Sequence, residues 1–398
     1  MGSNSGVRHV FRTIFSAAAQ RRRAVVRRAS AVDVLEQRIV PALVVPVLNS
    51  LPNAPVNIYL DFDGHVESSN WNGGNSFTTP AFTVDNDATD YNTEELRRIE
   101  EIWYRMSEDF APFNVNVTTV EPASINDFEA LRVVIGGDGG WSNSGASNSV
   151  FVFSAIDPWP KNVAVAGSHE CGHALGLFHQ STDSSTNDYR SGNNRLGPIM
   201  GTPYAGLRDV WDIGPSFGVG GIQDDMAVMT RPGNQTFRFR QDDFASTAAA
   251  SVSIPATNGV VRVDGLLETN SDSDFFLIEA DAGPLTINLT TLDVNRFYPG
   301  LNLNPGTNLD PILRLYSDSG TLLVEDDPSA SLNASLSTTV QRGLYYLEVT
   351  SIDEPGAVGE YSLTGSFNPL PSIPTMVAPT GVVSEPLPSF IWTVASNA

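Results

Sequence analysis

Three of the chain's five histidines lie in one eleven-residue segment, HECGHALGLFH. His169 and His173 are four residues apart, so on a helix they lie on one face, one turn apart, and can bind the same metal ion. Glu170 lies beside that face, within reach of a metal-bound water but not as a third ligand. Gly176 can end the helix in the left-handed conformation, which allows His179 to return to the ion. Three neutral imidazoles and an open fourth position predict a catalytic zinc site.

The spacing H-E-x-x-H-x-x-G-x-x-H resembles the signature of the metzincin metallopeptidases. The resemblance covers roughly residues 55–230, where EEIWYRMSEDFAPFNVNVTT and QDDMAVMT are similar to the bacterial reprolysin-like branch. It implies that the segment GPIMG supplies Met200 to a methionine-containing turn below the metal, in preference to Met226 or Met229. It also implies hydrolysis of peptide bonds, with Glu170 as the general base.

Two positions depart from the usual metzincin pattern. The residue after the third histidine often distinguishes subfamilies, and here it is Gln180, so the subfamily stays open. The family's tyrosine after the methionine is not at the common spacing. Tyr204 is the candidate transition-state donor, and an ordinary loop tyrosine is the alternative. The single cysteine, Cys171, is expected to pack as a small apolar side chain, and it excludes both an intrachain disulfide and a cysteine-capped latent zinc.

Strands and helices that must position these residues can be predicted from local patterns. Strands are expected at VNIYLDF, FNVNVTTV, LRVVIGG and SVFVFSAI, and a helix at NTEELRRIEEIWYRMSEDF with Asn92 and Glu95 as a capping box. The metzincin resemblance implies that residues 53–232 form an α/β (α+β) catalytic domain with a twisted mixed sheet and an active-site helix. It further implies that substrate pairs with LRVVIGG, residues 131–137, as an edge strand.

The sequence pattern changes after Arg231. Short alternating runs separated by turn residues predict an all-β sandwich, jelly-roll-like, over residues 240–367, so that the protein is multidomain. This part resembles the bacterial pre-peptidase C-terminal domain in the stretches DSDFFLIEA, LDPILRLYSDSGTLLVEDD and GLYYLEVTS. Residues 368–398 are interpreted as a Pro-rich linker and the start of an immunoglobulin-like domain.

Acidic clusters leave the question of structural calcium open. Calcium and solvated loops are the two interpretations for the β-rich part, where the candidate ligands are Asp272, Asp274, Asp326 and Asp327. In LDFDGH, a solvated strand edge is favoured over a cation site for Asp61, Asp63 and His65.

The amino-acid composition limits the classes of binding partner that we expect. The net charge is −22 and the only lysine is Lys161, which argues against nucleic acid and anionic membrane surfaces. No apolar run is long enough for stable membrane insertion. Residues 1–52 are Arg-rich and are expected to be a disordered leader, because LEQRIVPA resembles the leaders of large exported bacterial proteins. We therefore expect a secreted or cell-surface bacterial protein, and a disordered basic tail without an export role is the alternative.

The leading hypothesis is an exported zinc endopeptidase that acts on protein or peptide substrates, with a monomer as the working expectation. The first alternative is a non-catalytic surface or adhesion protein that uses the metzincin-like domain as a binding scaffold. The second is a zinc hydrolase with a non-protein substrate.

Overall fold

The computed structural model describes residues 43–371 except 73–74, 138–147, 155–158 and 298–304, and then 375–381, 384, 387 and 389–393. Most of the leader predicted over residues 1–52, and part of the terminal segment, therefore lie outside the described residues. The described residues fall within one compact unit, residues 41–398. We divide this unit into an N-terminal module, residues 43–239, and a β-rich module, residues 252–369.

The N-terminal module alternates strands with two long helices. Its elements are β1 (Val56–Asp61), β2 (His65–Asn72), β3 (Asn75–Thr79), α1 (Thr93–Asp109), β4 (Val115–Thr118), β5 (Ala130–Ile135), β6 (Ser149–Val152), α2 (Pro160–Ala174), β7 (Leu196–Pro198), β8 (Arg208–Val210), β9 (Ile213–Ser216), β10 (Gly221–Asp224) and α3 (Asp225–Met229).

The central sheet differs from the prediction in two respects. Its strand order is β4-β1-β5-β6, and every described ladder is parallel rather than mixed. Long connections, one of them containing α1, return the chain to the same end of the sheet, as parallel pairing requires. The predicted substrate-binding edge, LRVVIGG, is also wrong, because β5 lies between β1 and β6.

Helix α1 follows its sequence signals closely. The Asn92 side chain accepts from the backbone N–H of Glu95, and the Glu95 side chain accepts from the backbone N–H of Asn92, which is the predicted capping box. Ile99, Ile102 and Met106 are fully buried in the module's hydrophobic core. The helix therefore packs by its apolar stripe, and polar side chains beside that stripe, among them Glu95, Glu101 and Arg105, are buried as well.

The β-rich module is a large, mainly antiparallel sheet around its own core. Strand β14 pairs with β18 through its first half and with β17 and β19 through its second half, so one long strand links two groups of neighbours. The strands are β11 (Val252–Ser253), β12 (Ala256–Thr257), β13 (Val260–Leu267), β14 (Asp274–Thr291), β15 (Pro311–Ser317), β16 (Leu322–Asp326), β17 (Ala334–Val340), β18 (Gly343–Ser351) and β19 (Gly359–Pro369).

Beyond the β-rich module, β20 (Met376–Ala378) pairs with β21 (Ile391–Trp392). The immunoglobulin-like start stays a prediction. The described part of the chain is mostly β with few helices and several sheets. None of the helices in that part has the length and apolar character needed to cross a membrane.

Candidate metal centre

Helix α2 carries the first two histidines and ends where the motif predicts. Pro160 occupies its first turn, where a missing N–H costs nothing. At the other end the Leu177 N–H donates to Gly172 O at 2.9 Å, and the Gly176 N–H donates to His173 O at 2.9 Å. Gly176 has φ +97°, so it supplies the left-handed residue of this termination. The chain then turns back toward the helix.

The turn brings His169, His173 and His179 together. The ring centroids of these histidines are 4.7, 5.2 and 4.7 Å apart, and one nitrogen of each lies within 4.8 Å of the others. His173 Nε2 and His179 Nε2 are 3.0 Å apart. Two nitrogens on one tetrahedral zinc ion would be separated by roughly 3.3 Å, given bonds of about 2.0–2.1 Å. The triad can therefore hold a metal ion.

Hydrogen bonds and burial prepare the rings as ligands. His169 Nδ1 lies 2.7 Å from Ile199 O and His173 Nδ1 lies 2.8 Å from Leu177 O. A carbonyl only accepts, so Nδ1 carries the proton in both rings and Nε2 offers its lone pair. Burial lowers the pKa of His169 to about 3 and of His179 to about 4, and it also lowers the pKa of His173. All three rings are neutral near pH 7, as metal ligands must be.

Met200 lies beneath the helix that carries the ligands. It is fully buried, and its turn is closed by the Gly201 N–H donating to Pro198 O at 2.8 Å. A Cβ on Gly172 would lie 2.5 Å from Met200 Sδ, so the glycine allows this close approach. The preceding residue, Ile199, supplies the carbonyl that orients His169. The turn thus contributes both an apolar floor and a hydrogen-bond acceptor.

Gln180, which the sequence left without a role, anchors the loop after the third histidine. Its backbone N–H donates to Met200 O at 2.8 Å. Its buried side chain donates to Asp225 Oδ1 at 2.9 Å, and Asp225 Oδ2 accepts from the Asp212 N–H at 3.0 Å. His179 is therefore held by a residue tied both to the Met200 turn and to the start of α3.

The two other motif residues on α2 lie between the first two ligands. Glu170 is partly buried, and its charge is one of the causes that raise the pKa of Tyr189, after burial. Cys171 is fully buried in the core, and burial raises the pKa of its thiol, which agrees with a packing role.

A tyrosine that the sequence analysis missed contacts the triad. The ring centroid of Tyr189 lies 4.1 Å from that of His179 and 6.4 Å from that of His169. Tyr204 is half exposed, and its carbonyl accepts from Lys161 Nζ at 3.3 Å. Tyr189 lies in a loop without periodicity, so no local signal in the sequence distinguishes it.

The solvated strand edge expected for LDFDGH is wrong for Asp61, whereas Asp63 is exposed. Asp61 is 1% exposed and accepts from Arg132 Nη1 at 2.8 Å. Arg132 comes from β5, which lies beside β1 in the sheet. His65 Nδ1 is also 2.8 Å from Arg132 Nη1. Arg132 thus pairs with Asp61 and His65 of this segment.

Among the residues that the structure describes, one acidic group is close enough to hold a cation, and it joins Asp242 to Asp272 and Asp274. Asp326 is not in this group, and its Oδ2 accepts from the Ser335 N–H at 2.6 Å. Glu268 lies against the group and is 3% exposed, and its two carboxylate oxygens have no hydrogen-bond partner among the described residues.

No family model and no curated protein matches this chain. Among solved structures, this chain is similar to the pre-peptidase C-terminal domain of a collagenase from Bacillus anthracis. It is 16% identical, has a TM-score of 0.22, and the match covers 29% of this chain and 95% of that one. A mitogen derived from Yersinia pseudotuberculosis is 12% identical with a TM-score of 0.20, over 28% of this chain and 87% of that one. At such TM-scores these likenesses say nothing about the metal centre.

Proposed function

We propose that the protein is an exported zinc endopeptidase of the metzincin type. The observation that carries the proposal is the convergence of three neutral imidazoles, with His173 Nε2 and His179 Nε2 3.0 Å apart and Glu170 on the same helix. The donor set fits zinc, because it consists of nitrogen ligands whose outer nitrogens are already fixed by carbonyls in two of the three rings.

A bound zinc ion would lower the pKa of water and polarise the substrate carbonyl. Proton transfer and the positioning of the ligands would be carried out by residues of the chain. Glu170 takes a proton from the attacking water and returns it to the leaving amine. The Met200 turn holds α2 and His169 in place from below. The Tyr189 ring, on His179, limits the movement of the third imidazole.

The test compares Glu170→Gln with Glu279→Gln in the full chain. Both substitutions remove one carboxylate, but Glu279 is exposed on β14, far in sequence from the triad. Glu170→Gln should keep one zinc and lose casein hydrolysis by a factor on the order of 10²–10⁴ in kcat, as for removal of a general base. Glu279→Gln should behave as the wild type.

The outcomes separate the three candidate functions. Chelator-sensitive casein hydrolysis that survives in Glu170→Gln would remove Glu170 from the mechanism. A zinc-loaded wild type that cleaves no protein but hydrolyses small esters or amides would favour the non-protein hydrolase. A zinc-loaded wild type without any hydrolysis would favour the scaffold or adhesion function.

We also infer a structural calcium ion at the acidic group that Asp242, from the segment between the modules, forms with two aspartates of the β-rich module. Asp242, Asp272 and Asp274 each place a carboxylate oxygen within 4.8 Å of the others, and calcium prefers such oxygen ligands. Burial, with neighbouring carboxylates, raises the pKa of Glu268 to about 9 and of Asp274 to about 8. A divalent cation would relieve this repulsion, and the buried oxygens of Glu268 could serve it.

A further inference from the structure

The last turn of α1 contains two buried carboxylates, Glu108 at 1% and Asp109 at 4% exposure. This is an unfavourable place for them, because the helix C-terminus carries partial negative charge and no basic residue lies in the last turn. Burial of a carboxylate is also costly unless hydrogen-bond donors replace water. The donors around these two side chains come from both modules.

Asp109 connects α1 to the helix that carries the metal ligands. Its Oδ2 accepts from the Ser168 hydroxyl at 2.6 Å, and Ser168 directly precedes His169 on α2. Its backbone carbonyl accepts from Trp211 Nε1 at 2.6 Å. The Trp211 ring in turn packs beside Gly172, since a Cβ on that glycine would lie 3.2 Å from Trp211 Cζ3. Asp109 therefore contacts two groups that fix the position of α2.

The other carboxylate oxygen of Asp109 is occupied by the β-rich module. Asn308 Nδ2 donates to Asp109 Oδ1 at 2.9 Å, across a sequence separation of 199 residues. Thr307 supports this contact, because its hydroxyl donates to Glu108 Oε1 at 3.1 Å. Thr307 and Asn308 are buried, at 0% and 4% exposure. The segment that carries them is thus a dry contact rather than a surface loop.

Packing and ion pairs around this contact join the two modules. Val358 of the β-rich module belongs to the hydrophobic cluster of the N-terminal module. Arg208, 1% exposed, pairs with Glu354 at 2.5 Å and with Asp310 at 3.4 Å. The β-rich module therefore completes the N-terminal module's interior on the side of α1 and Trp211.

We propose that Asp109 is a positioning residue for the metal centre and that Asn308 of the β-rich module holds it in position. The chain Asn308–Asp109–Ser168 fixes the rotation of α2 immediately before His169. Through Asn308, the β-rich module therefore helps to hold the metal centre in position. The proposal rests on the proposed zinc site but is independent of whether the substrate is a protein.

The experiment measures metal affinity in the full chain for Asn308→Ala, Ser168→Ala and the double variant. Zinc affinity is read by competition with a chelating dye, and the ligand geometry by the visible absorption of the cobalt-substituted protein. Loss of a group bonded directly to a ligand typically weakens metal binding about 10–100-fold. Neither Asn308 nor Ser168 bonds the ring of a ligand, so we expect a smaller effect, with each single variant binding zinc about three- to tenfold more weakly.

Two features of the design separate positioning from general destabilisation. Because both residues act through Asp109, the double variant should be close to the weaker-binding single variant rather than their product. Asn368→Ala is the matched control, since it removes an amide of the same module that donates to Ala282 O at 2.9 Å, away from the contact between the modules. It should lower the unfolding midpoint without changing zinc affinity or the cobalt spectrum.

Equal zinc affinity and cobalt spectra in Asn308→Ala and Asn368→Ala would overturn the proposal, and so would multiplicative effects of Asn308→Ala and Ser168→Ala. If Asn308→Ala does not fold, Ser168→Ala still decides, because alanine favours a helix and keeps the packing. A wild type that binds no zinc would defeat both this proposal and the peptidase. A wild type that binds zinc without cleaving casein would defeat the peptidase alone.

Discussion

Replacing Gly172 by alanine would place a methyl group against the floor of the metal centre. The new Cβ would lie 2.5 Å from Met200 Sδ, 3.1 Å from Leu177 Cδ1 and 3.2 Å from Trp211 Cζ3. Alanine in a helix interior gains about 0.5–1 kcal/mol over glycine. Overpacking a dense core costs about 1–3 kcal/mol. The new methyl group would meet the rigid Trp211 indole as well as the flexible Met200 thioether, so movement of Met200 alone does not relieve the overlap. We therefore expect the free energy of unfolding to fall by about 1–2 kcal/mol.

Gly167→Ala is the matched control on the same helix. Its Cβ would meet Met106 Sδ at 2.8 Å and Cε at 2.9 Å, with the next atom at 3.6 Å. The end of Met106 can move, so the helix gain should roughly offset the overlap and stability should change by less than about 1 kcal/mol. The two variants therefore make the same chemical change in different surroundings.

The assay is urea unfolding together with zinc competition for both variants. Gly172→Ala displaces Met200 and with it the Ile199 carbonyl that orients His169, so zinc affinity should fall about tenfold. Gly167→Ala should keep wild-type affinity. Equal losses of stability and of zinc affinity in the two variants would refute the role assigned to the Met200 turn.

Two further predictions concern the tyrosines and the acidic group. Tyr189→Leu should weaken zinc binding a few-fold, because it removes the ring that lies 4.1 Å from His179. Tyr204→Leu should leave zinc affinity unchanged. Similar losses of affinity in both variants would contradict the role assigned to Tyr189. Without divalent cations, the free energy of unfolding should fall as pH rises from about 5 to about 9. In the folded protein the pKa of Glu268 is raised to about 9 and the pKa of Asp274 to about 8. The folded chain therefore binds these protons more tightly than the unfolded chain does, and it loses stability as they dissociate. Millimolar calcium should restore the stability at the alkaline end, and urea midpoints that do not respond to calcium there would exclude the ion.

Local signals predicted the parts of the site that depend on neighbours in the sequence. The capping box of α1, the apolar stripe of Ile99 and Met106, and the end of α2 at Gly176 all follow from spacing within a few residues. The predicted convergence of the histidines also follows, because one helical turn and one reversal are enough to bring His179 back to the helix.

Residues that act across long separations escaped prediction. Asn308 and Asp109 are 199 residues apart, and nothing near either residue indicates the other. Tyr189 has no periodicity to mark it, and the orienting acceptor of His169 is a backbone carbonyl, which carries no sequence signature. Asp61 was expected to be solvated because its position on a strand end says nothing about Arg132 of the next strand.

The sheet shows the same limit at the level of topology. The four strands of the central sheet were recognisable from their composition, whereas β2, β3 and β7 to β10 were not predicted. Which strand lies at the edge of the central sheet depends on tertiary pairing. β5 is interior because β6 pairs with it in parallel, and this places Val133 and Val134 in the middle of the sheet, both fully buried. Alternation alone cannot tell such a strand from an edge strand.

The most direct test of the account is X-ray absorption at the zinc edge, combined with native mass spectrometry, on the purified chain and its His179→Ala variant. The wild type should hold one zinc ion per chain, bound by three imidazole nitrogens at about 2.0–2.1 Å and one oxygen ligand. In His179→Ala one imidazole should disappear from the zinc shell. A wild-type chain that retains no zinc, or a zinc shell that is unchanged by His179→Ala, would contradict the three-histidine centre on which the proposed function rests.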